Sequence, residues 1–199
     1  MASTGYLGAI RALVSKIEAS LPKLDEPVKM YIAGGAAVYF YTAYRVSADV
    51  DAIFSKRLLL PEEVEVVWQG EDGKPRLLYL DKQYNDTFVL MHEEYDRAAI
   101  PCAALNAGKR KIHVYFLSPI DLVVSKLSRY ETVDQEDIRA LAERRLVSAD
   151  AVRKRAEEAL GAYVGNMTRI KSSIKLACKL IDEVQGKKLG KKLGKKTLR

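Results

Sequence analysis

Apolar residues at Leu7, Ile10, Leu13, Val14, Ile17 and Leu21 recur at helical spacing and predict a helix over residues 6–21. Pro22 and Pro27 bracket the loop that follows. Residues 28–33 then form a nearly continuous apolar run, which reads as a buried strand. A Gly34-Gly35 turn and a short helix follow, and the chain returns in a second strand bearing Asp49 and Asp51. Strand side chains alternate faces, so Asp49, Asp51 and Ile53 point one way and Val50, Ala52 and Phe54 the other. Residues 64–69 and 76–81 are β-prone and flank Gly70-Glu-Asp-Gly-Lys-Pro75, the composition of a hairpin connection. Asn85-Asp86 marks a further turn, and residues 88–95 fit a helix or a strand equally.

From residue 111 onward the pattern becomes helical after one last strand, 111–117. Ser118 as N-cap, Pro119 at the first helical position and Asp121 two residues later predict a helix start, with Asp121 in a capping role. That helix is expected to reach about residue 129, burying Ile120, Val123, Val124 and Leu127 and carrying Lys126 and Arg129 on its polar flank. Asp134 is the expected N-cap of the next helix, with Ile138, Leu141 and Ala142 as its buried stripe. Ser148 begins a third helix to about 163. Asn166 begins a long one to about 185, with Ile170, Ile174, Ala177, Cys178 and Ile181 facing inward. Gly186 is read as the end of the folded part.

Charge alters this picture at one end only. The chain of 199 residues carries a formal net charge of +7. Residues 187–199 hold six lysines, one arginine and no acid, so the 26 basic and 26 acidic residues of 1–186 balance. The tail repeats Lys-Lys-Leu-Gly, a glycine-rich, like-charged composition that reads as disordered in isolation. Cys102 and Cys178 have no metal-ligand spacing, so free thiols in a reducing compartment are expected. No apolar run approaches a membrane span and the N-terminus has no signal-peptide pattern, so a cytoplasmic protein without membrane partners is expected.

The chemistry concentrates in residues 31–54. Two carboxylates on one strand face repel each other and resist burial unless a cation or solvent receives them. A divalent metal held by Asp49 and Asp51, with positions left open for phosphate oxygens, is what phosphoryl or nucleotidyl transfer needs. The glycine pair lets backbone approach a ligand, and the helix opening behind it offers N–H groups to a triphosphate. The bland reading of each piece is a turn and a solvated strand face; their combination, with 13 residues between Gly35 and Asp49, is more specific. The cluster Met91-His-Glu-Glu-Tyr-Asp-Arg97 is a poor metal site and reads as a surface loop.

This combination resembles the signature of the nucleotidyltransferase (polymerase beta-like) superfamily: Gly-Gly or Gly-Ser, a helix, then Asp-hydrophobic-Asp. Arg45-Val-Ser-Ala-Asp-Val-Asp51 is more closely similar to the form found in abortive-infection-type nucleotidyltransferases of bacterial toxin–antitoxin systems. Ser125-Lys-Leu-Ser-Arg-Tyr130 and Asp134-Gln-Glu-Asp-Ile138 resemble two further motifs of those enzymes in type and order, and the likeness spans roughly residues 30–145. The chain departs at Ala36, where many members place serine or threonine. It departs again at strand 111–117, which offers His113 and Tyr115 where many members carry a third carboxylate on a later strand.

The resemblance implies an α+β nucleotidyltransferase fold, a mixed sheet with helices over 1–146, a helical extension over 147–186 and a basic tail over 187–199. It implies Mg²⁺ or Mn²⁺ on Asp49 and Asp51, and an NTP bound through Gly34, Gly35, Ala36, Arg45, Ser47 and Lys126. Lys126 would meet the triphosphate or the leaving pyrophosphate, and Asp137 would act as general base or orient the lysine. The implied partners are an RNA acceptor such as tRNA and a cognate antitoxin or toxin protein. Two alternatives stay open: a small-molecule nucleotidyltransferase, and a catalytically silent fold acting as an antitoxin or RNA-binding module.

Overall fold

The computed structural model describes residues 5–84 and 89–194, with side chains through 186; the expected turn at Asn85-Asp86 lies outside the described residues. Contacts divide the chain into two compact units, Met1–Tyr84 with Asp96–Leu117, and Asn85–Tyr95 with Ser118–Arg199. Packing therefore groups the helices that follow residue 117 together.

The first unit is a mixed six-stranded sheet with helices, the architecture expected of the sequence. Helix α1 (Tyr6–Ser20) precedes β1 (Val28–Ile32), α2 (Gly34–Thr42) and β2 (Asp49–Phe54). The hairpin β3 (Glu65–Gln69) and β4 (Pro75–Asp81) follows. After the short α3 (Tyr95–Ala98) come β5 (Ile100–Pro101), α4 (Ala103–Asn106) and β6 (Ile112–Phe116). Strand order is β3-β4-β2-β1-β6-β5. β1 runs antiparallel to β2 and parallel to β6, while β2 runs parallel to β4.

Register fixes what each face holds, because paired residues share a side. Val28, Met30, Ile32, Val50, Leu78, Leu80, Val114 and Phe116 are buried on one face. α1 packs over β3 and β4 there with Ile10, Leu13, Val14 and Ile17 fully buried. The opposite face carries Asp49 and Asp51 on β2, in register with Tyr79 and Asp81 of β4. Residues 89–94, open between helix and strand in the sequence, form neither.

The second unit contains α5 (Pro119–Lys126), α6 (Thr132–Glu143), α7 (Ala149–Ala159) and α8 (Met167–Gly194). Their starts follow local chemistry. Ser118 Oγ accepts the Asp121 N–H at 3.1 Å, Ser148 Oγ that of Ala151 at 3.3 Å, and Asn166 Oδ1 that of Arg169 at 3.0 Å. Four boundaries differ from expectation. α5 stops at Lys126 rather than near 129, and the turn closes with Tyr130 N–H on the Lys126 carbonyl at 2.8 Å, Tyr130 being left-handed. Its buried face holds Leu122 with Val123, Val124 and Leu127, while Ile120 is only half-buried. α6 is capped by Glu131, and Asp134 is instead its third residue, reaching back to accept the Glu131 N–H at 3.0 Å. α7 ends at Ala159, and α8 continues past Gly186 to Gly194.

Candidate active site

The two glycines make room for the motif side chains themselves. Gly34 is left-handed, with φ of +57°, and a Cβ placed on it would lie 1.8 Å from Asp51 Oδ2. The left-handed backbone favours glycine, and any Cβ here would require the Asp51 carboxylate to move. A Cβ on Gly35 would lie 2.8 Å from Ser47 Oγ and 3.2 Å from Arg45 Nη2. The Gly-Gly pair and the Arg-x-Ser-x-Asp-x-Asp segment thus interlock: Asp51 sits over the first glycine, Ser47 and Arg45 over the second. Ala33 N–H bonds the Asp51 carbonyl at 2.9 Å and joins the end of β1 to β2 at this point. Ala33 offers no capping side chain to α2, and Ala36 is buried in its first turn.

Asp49 and Asp51 are half-buried while Val50 between them is fully buried, so the alternation read from sequence holds. Ser47 Oγ donates to Asp49 Oδ1. These hard oxygen donors fit a small divalent cation, which commonly takes one or two carboxylates and leaves its other positions to water and phosphate. Among the described residues no three acidic, imidazole or thiol groups cluster as a metal site. Strand β6 presents His113 and Tyr115 and no third acid. The neighbour of β2 on its other side is β4, which sets Asp81 opposite Asp51. Asp81 Oδ1 accepts the Gln83 N–H at 2.8 Å.

Tyr6 lies beneath this segment. Its ring packs against Tyr39 at 4.7 Å and Trp68 at 5.5 Å, and the residue is 2% exposed. Burial pushes its pKa well above the ordinary tyrosine value; the Ser47 backbone N–H opposes this, while Asp49 and Asp51 add to it and Arg45 opposes it.

The second constellation belongs to the helical unit. Lys126, expected on a polar flank, is only 7% exposed. Its Nζ lies 2.8 Å from Asp137 Oδ2 and 3.5 Å from Asp134 Oδ1. Arg129 binds both oxygens of Asp134, Nε at 2.9 Å and Nη2 at 2.8 Å. Two cations and two carboxylates therefore balance, which is how such charges tolerate burial. Burial alone would raise the Asp134 pKa, but the Arg129 guanidinium, the Glu131 amide and the Lys126 ammonium outweigh it and hold the carboxyl below its ordinary value.

The same unit holds a pair absent from the sequence reading. Asp121 bonds Ser118 Oγ as expected of a cap, yet it is 1% exposed and also receives Arg155 Nε at 2.8 Å. Arg155, 34 residues away, further donates to the Glu94 carbonyl at 3.2 Å. In the sheet unit, Arg110 pairs with Glu18 at 2.9 Å and Lys111 Nζ donates to the Glu18 carbonyl at 3.0 Å. Both cations are thereby engaged by α1.

Cys102 and Cys178 are free and buried, and no described helix is long and apolar enough to cross a membrane. Neither curated proteins nor solved structures provide a match to the chain. A family model described as "Nucleotidyltransferase of unknown function (DUF6036)" matches residues 8–180. That span includes Gly34-Gly35, the Asp49–Asp51 strand, Lys126 and Asp137, and by it the chain belongs to this nucleotidyltransferase family.

Proposed function

We propose that the protein transfers a nucleoside monophosphate from an NTP to a hydroxyl or phosphate acceptor, with Mg²⁺ or Mn²⁺ on Asp49 and Asp51. The observation that carries this reading is the interlock of Gly34 with Asp51 and of Gly35 with Ser47 and Arg45. A solvated strand face has no need of a glycine whose every substitution would collide with a carboxylate.

In the proposed reaction an acceptor oxygen bonds to the α-phosphorus, the α–β phosphoanhydride bond breaks, pyrophosphate leaves, and a hydroxyl acceptor gives up its proton to solvent. Arg45, Ser47 and the first-turn amides of α2 bind and orient the phosphates. The bound cation supplies positive charge to the phosphate oxygens. The motif likeness of residues 125–138 implies Lys126 as the group that would stabilise charge on the leaving pyrophosphate, and within the helical unit Asp137, whose Oδ2 holds the ammonium at 2.8 Å, orients it. That contact favours the orienting role for Asp137 over a general base. RNA such as tRNA is the proposed acceptor, within a toxin–antitoxin pair; the motif likeness of residues 45–51 supports it.

The test is incubation with each α-labelled NTP, Mg²⁺ and total RNA, followed by separation of RNA, protein and small molecules. Label in RNA supports the full reading, whereas label in a small molecule replaces the acceptor. One observation favours a silent binding protein: no third carboxylate joins Asp49 and Asp51 in a metal cluster among the described residues. Absence of label from every fraction with every NTP would favour that second reading.

A further inference from the structure

A strand that keeps one face in the core usually turns polar residues to the other, so large apolar side chains gathered on an outer face point to something that covers them. The hairpin β3–β4 departs from that rule. Trp68, Leu78 and Leu80 fill its core side, yet Val67, Leu77 and Tyr79 on the other side are all exposed, Val67 at 73%. Register gathers them: Val67 pairs with Leu77 across the hairpin, and Tyr79 lies two residues along β4 from Leu77. Tyr79 in turn stands opposite Asp49 in the parallel pairing of β4 with β2. Paired strands are about 4.8 Å apart, so an apolar patch begins one strand away from the first carboxylate and on the same face.

The side of β2 on which the patch lies decides which substrate reaches it. β1 and β4 flank β2 on opposite sides. The glycines that follow β1, with the α2 amides behind them, are on the β1 side, where Gly34 meets Asp51. A triphosphate bound there leaves its pyrophosphate on the β1 side, and in-line displacement brings the incoming oxygen from the opposite one, that of β4. A terminal ribonucleoside carries a base and hydroxyls on one sugar, so its base on Tyr79 leaves a hydroxyl over Asp49. A hydroxyl on a simple sugar brings no flat ring to cover the patch. We propose that Tyr79, with Leu77 and Val67 beside it, is a stacking platform for the terminal nucleobase of an RNA acceptor and sets that nucleoside's ribose hydroxyl against the α-phosphorus. This role rests on the reading of Asp49 and Asp51 as the cation site and names the end of the acceptor that the site takes. Stacking on an aromatic ring tolerates any base, so the platform selects a nucleoside end without reading a sequence.

Transfer from α-labelled NTP to total RNA by the full chain, with KM taken separately for RNA and for NTP, tests this. Binding lost equally from substrate and transition state raises KM and spares kcat. Tyr79→Thr removes the ring and keeps a strand-forming residue. Its KM for RNA should rise about tenfold, or about 1.4 kcal/mol, with the KM for NTP and the melting temperature unchanged. Tyr79→Phe keeps the ring and should behave as the parent. An unchanged KM for RNA in Tyr79→Thr overturns the platform, as does Tyr79→Phe losing as much as Tyr79→Thr. A raised KM for NTP alone would put the nucleotide's own base on the patch and overturns it too. Asp51→Asn separates the two levels. If the parent labels protein or small molecules but no RNA, and Asp51→Asn labels nothing, the platform falls and the cation site stands. A parent that labels no more than Asp51→Asn removes both the proposed function and this inference.

Discussion

Gly34 and Asp51 give the sharpest test at the level of single residues. Gly34→Ala forces a Cβ to within 1.8 Å of Asp51 Oδ2 at a left-handed φ, so it should destabilise the protein by more than about 1 kcal/mol and end nucleotide transfer. Chemical denaturation and the labelling assay read both effects. Asp49→Asn and Asp51→Asn should also end transfer, yet leave the melting temperature unchanged or raised, because each relieves repulsion between neighbouring carboxylates. Lys126→Ala differs in kind. It removes the ammonium that lies 2.8 Å from Asp137, which is fully buried, and should cost about 3 kcal/mol as well as activity. Lys126→Arg should restore neither fully, because a planar fork replaces a compact ammonium. A Lys126→Ala variant that lost stability but kept turnover per folded molecule would make this cluster purely structural.

Elements were legible where their causes are local. The glycine pair, the alternation of residues 49–54, the hairpin around Gly70–Pro75 and the caps at Ser118, Ser148 and Asn166 are all decided within a few residues, and all are present. What escaped was set by distant pairing. Spacing from Arg129 put Lys126 on a polar flank, but tertiary packing buries it against Asp137 from the next helix. Asp134 has the composition of an N-cap and instead works three residues inside the helix, because its side chain can reach both the Glu131 amide and Arg129. Parallel pairing of β4 with β2 set Asp81 beside Asp51, a neighbour that strand order alone supplies. Arg155 reaches Asp121 across 34 residues, and no periodicity carries that signal. Arg155→Ala should therefore destabilise the helical unit by about 3–5 kcal/mol, since it leaves a carboxylate that is 1% exposed without its cation. A loss below 1 kcal/mol in denaturant titration would show that the cap to Ser118 suffices.

For the whole molecule, pH and salt are the informative variables. Asp134 has a lowered pKa, so its stabilisation is fully present above the ordinary carboxylate range near 3.9 and is lost as pH falls below it. Tyr6 and Tyr41 have pKa values raised chiefly by burial. Their contribution is intact below about pH 10 and is lost as pH rises beyond it, because the unfolded chain ionises first. Melting temperature should thus fall at both extremes, and Tyr6→Phe should lessen the alkaline fall. The +7 of residues 187–199 beyond a neutral body should act on RNA by counterion release. Removing those residues should weaken RNA binding at low salt and flatten its salt slope, while turnover at saturating acceptor stays the same. Unchanged slope and intercept would mean that RNA is captured elsewhere. The central claim, that Asp49 and Asp51 form a nucleotidyl-transfer site, meets its most direct test in α-labelled NTP, Mg²⁺ and total RNA given to the parent and to Asp51→Asn. The account predicts label in an acceptor for the parent and none for the variant; equal labelling by the two proteins would contradict it.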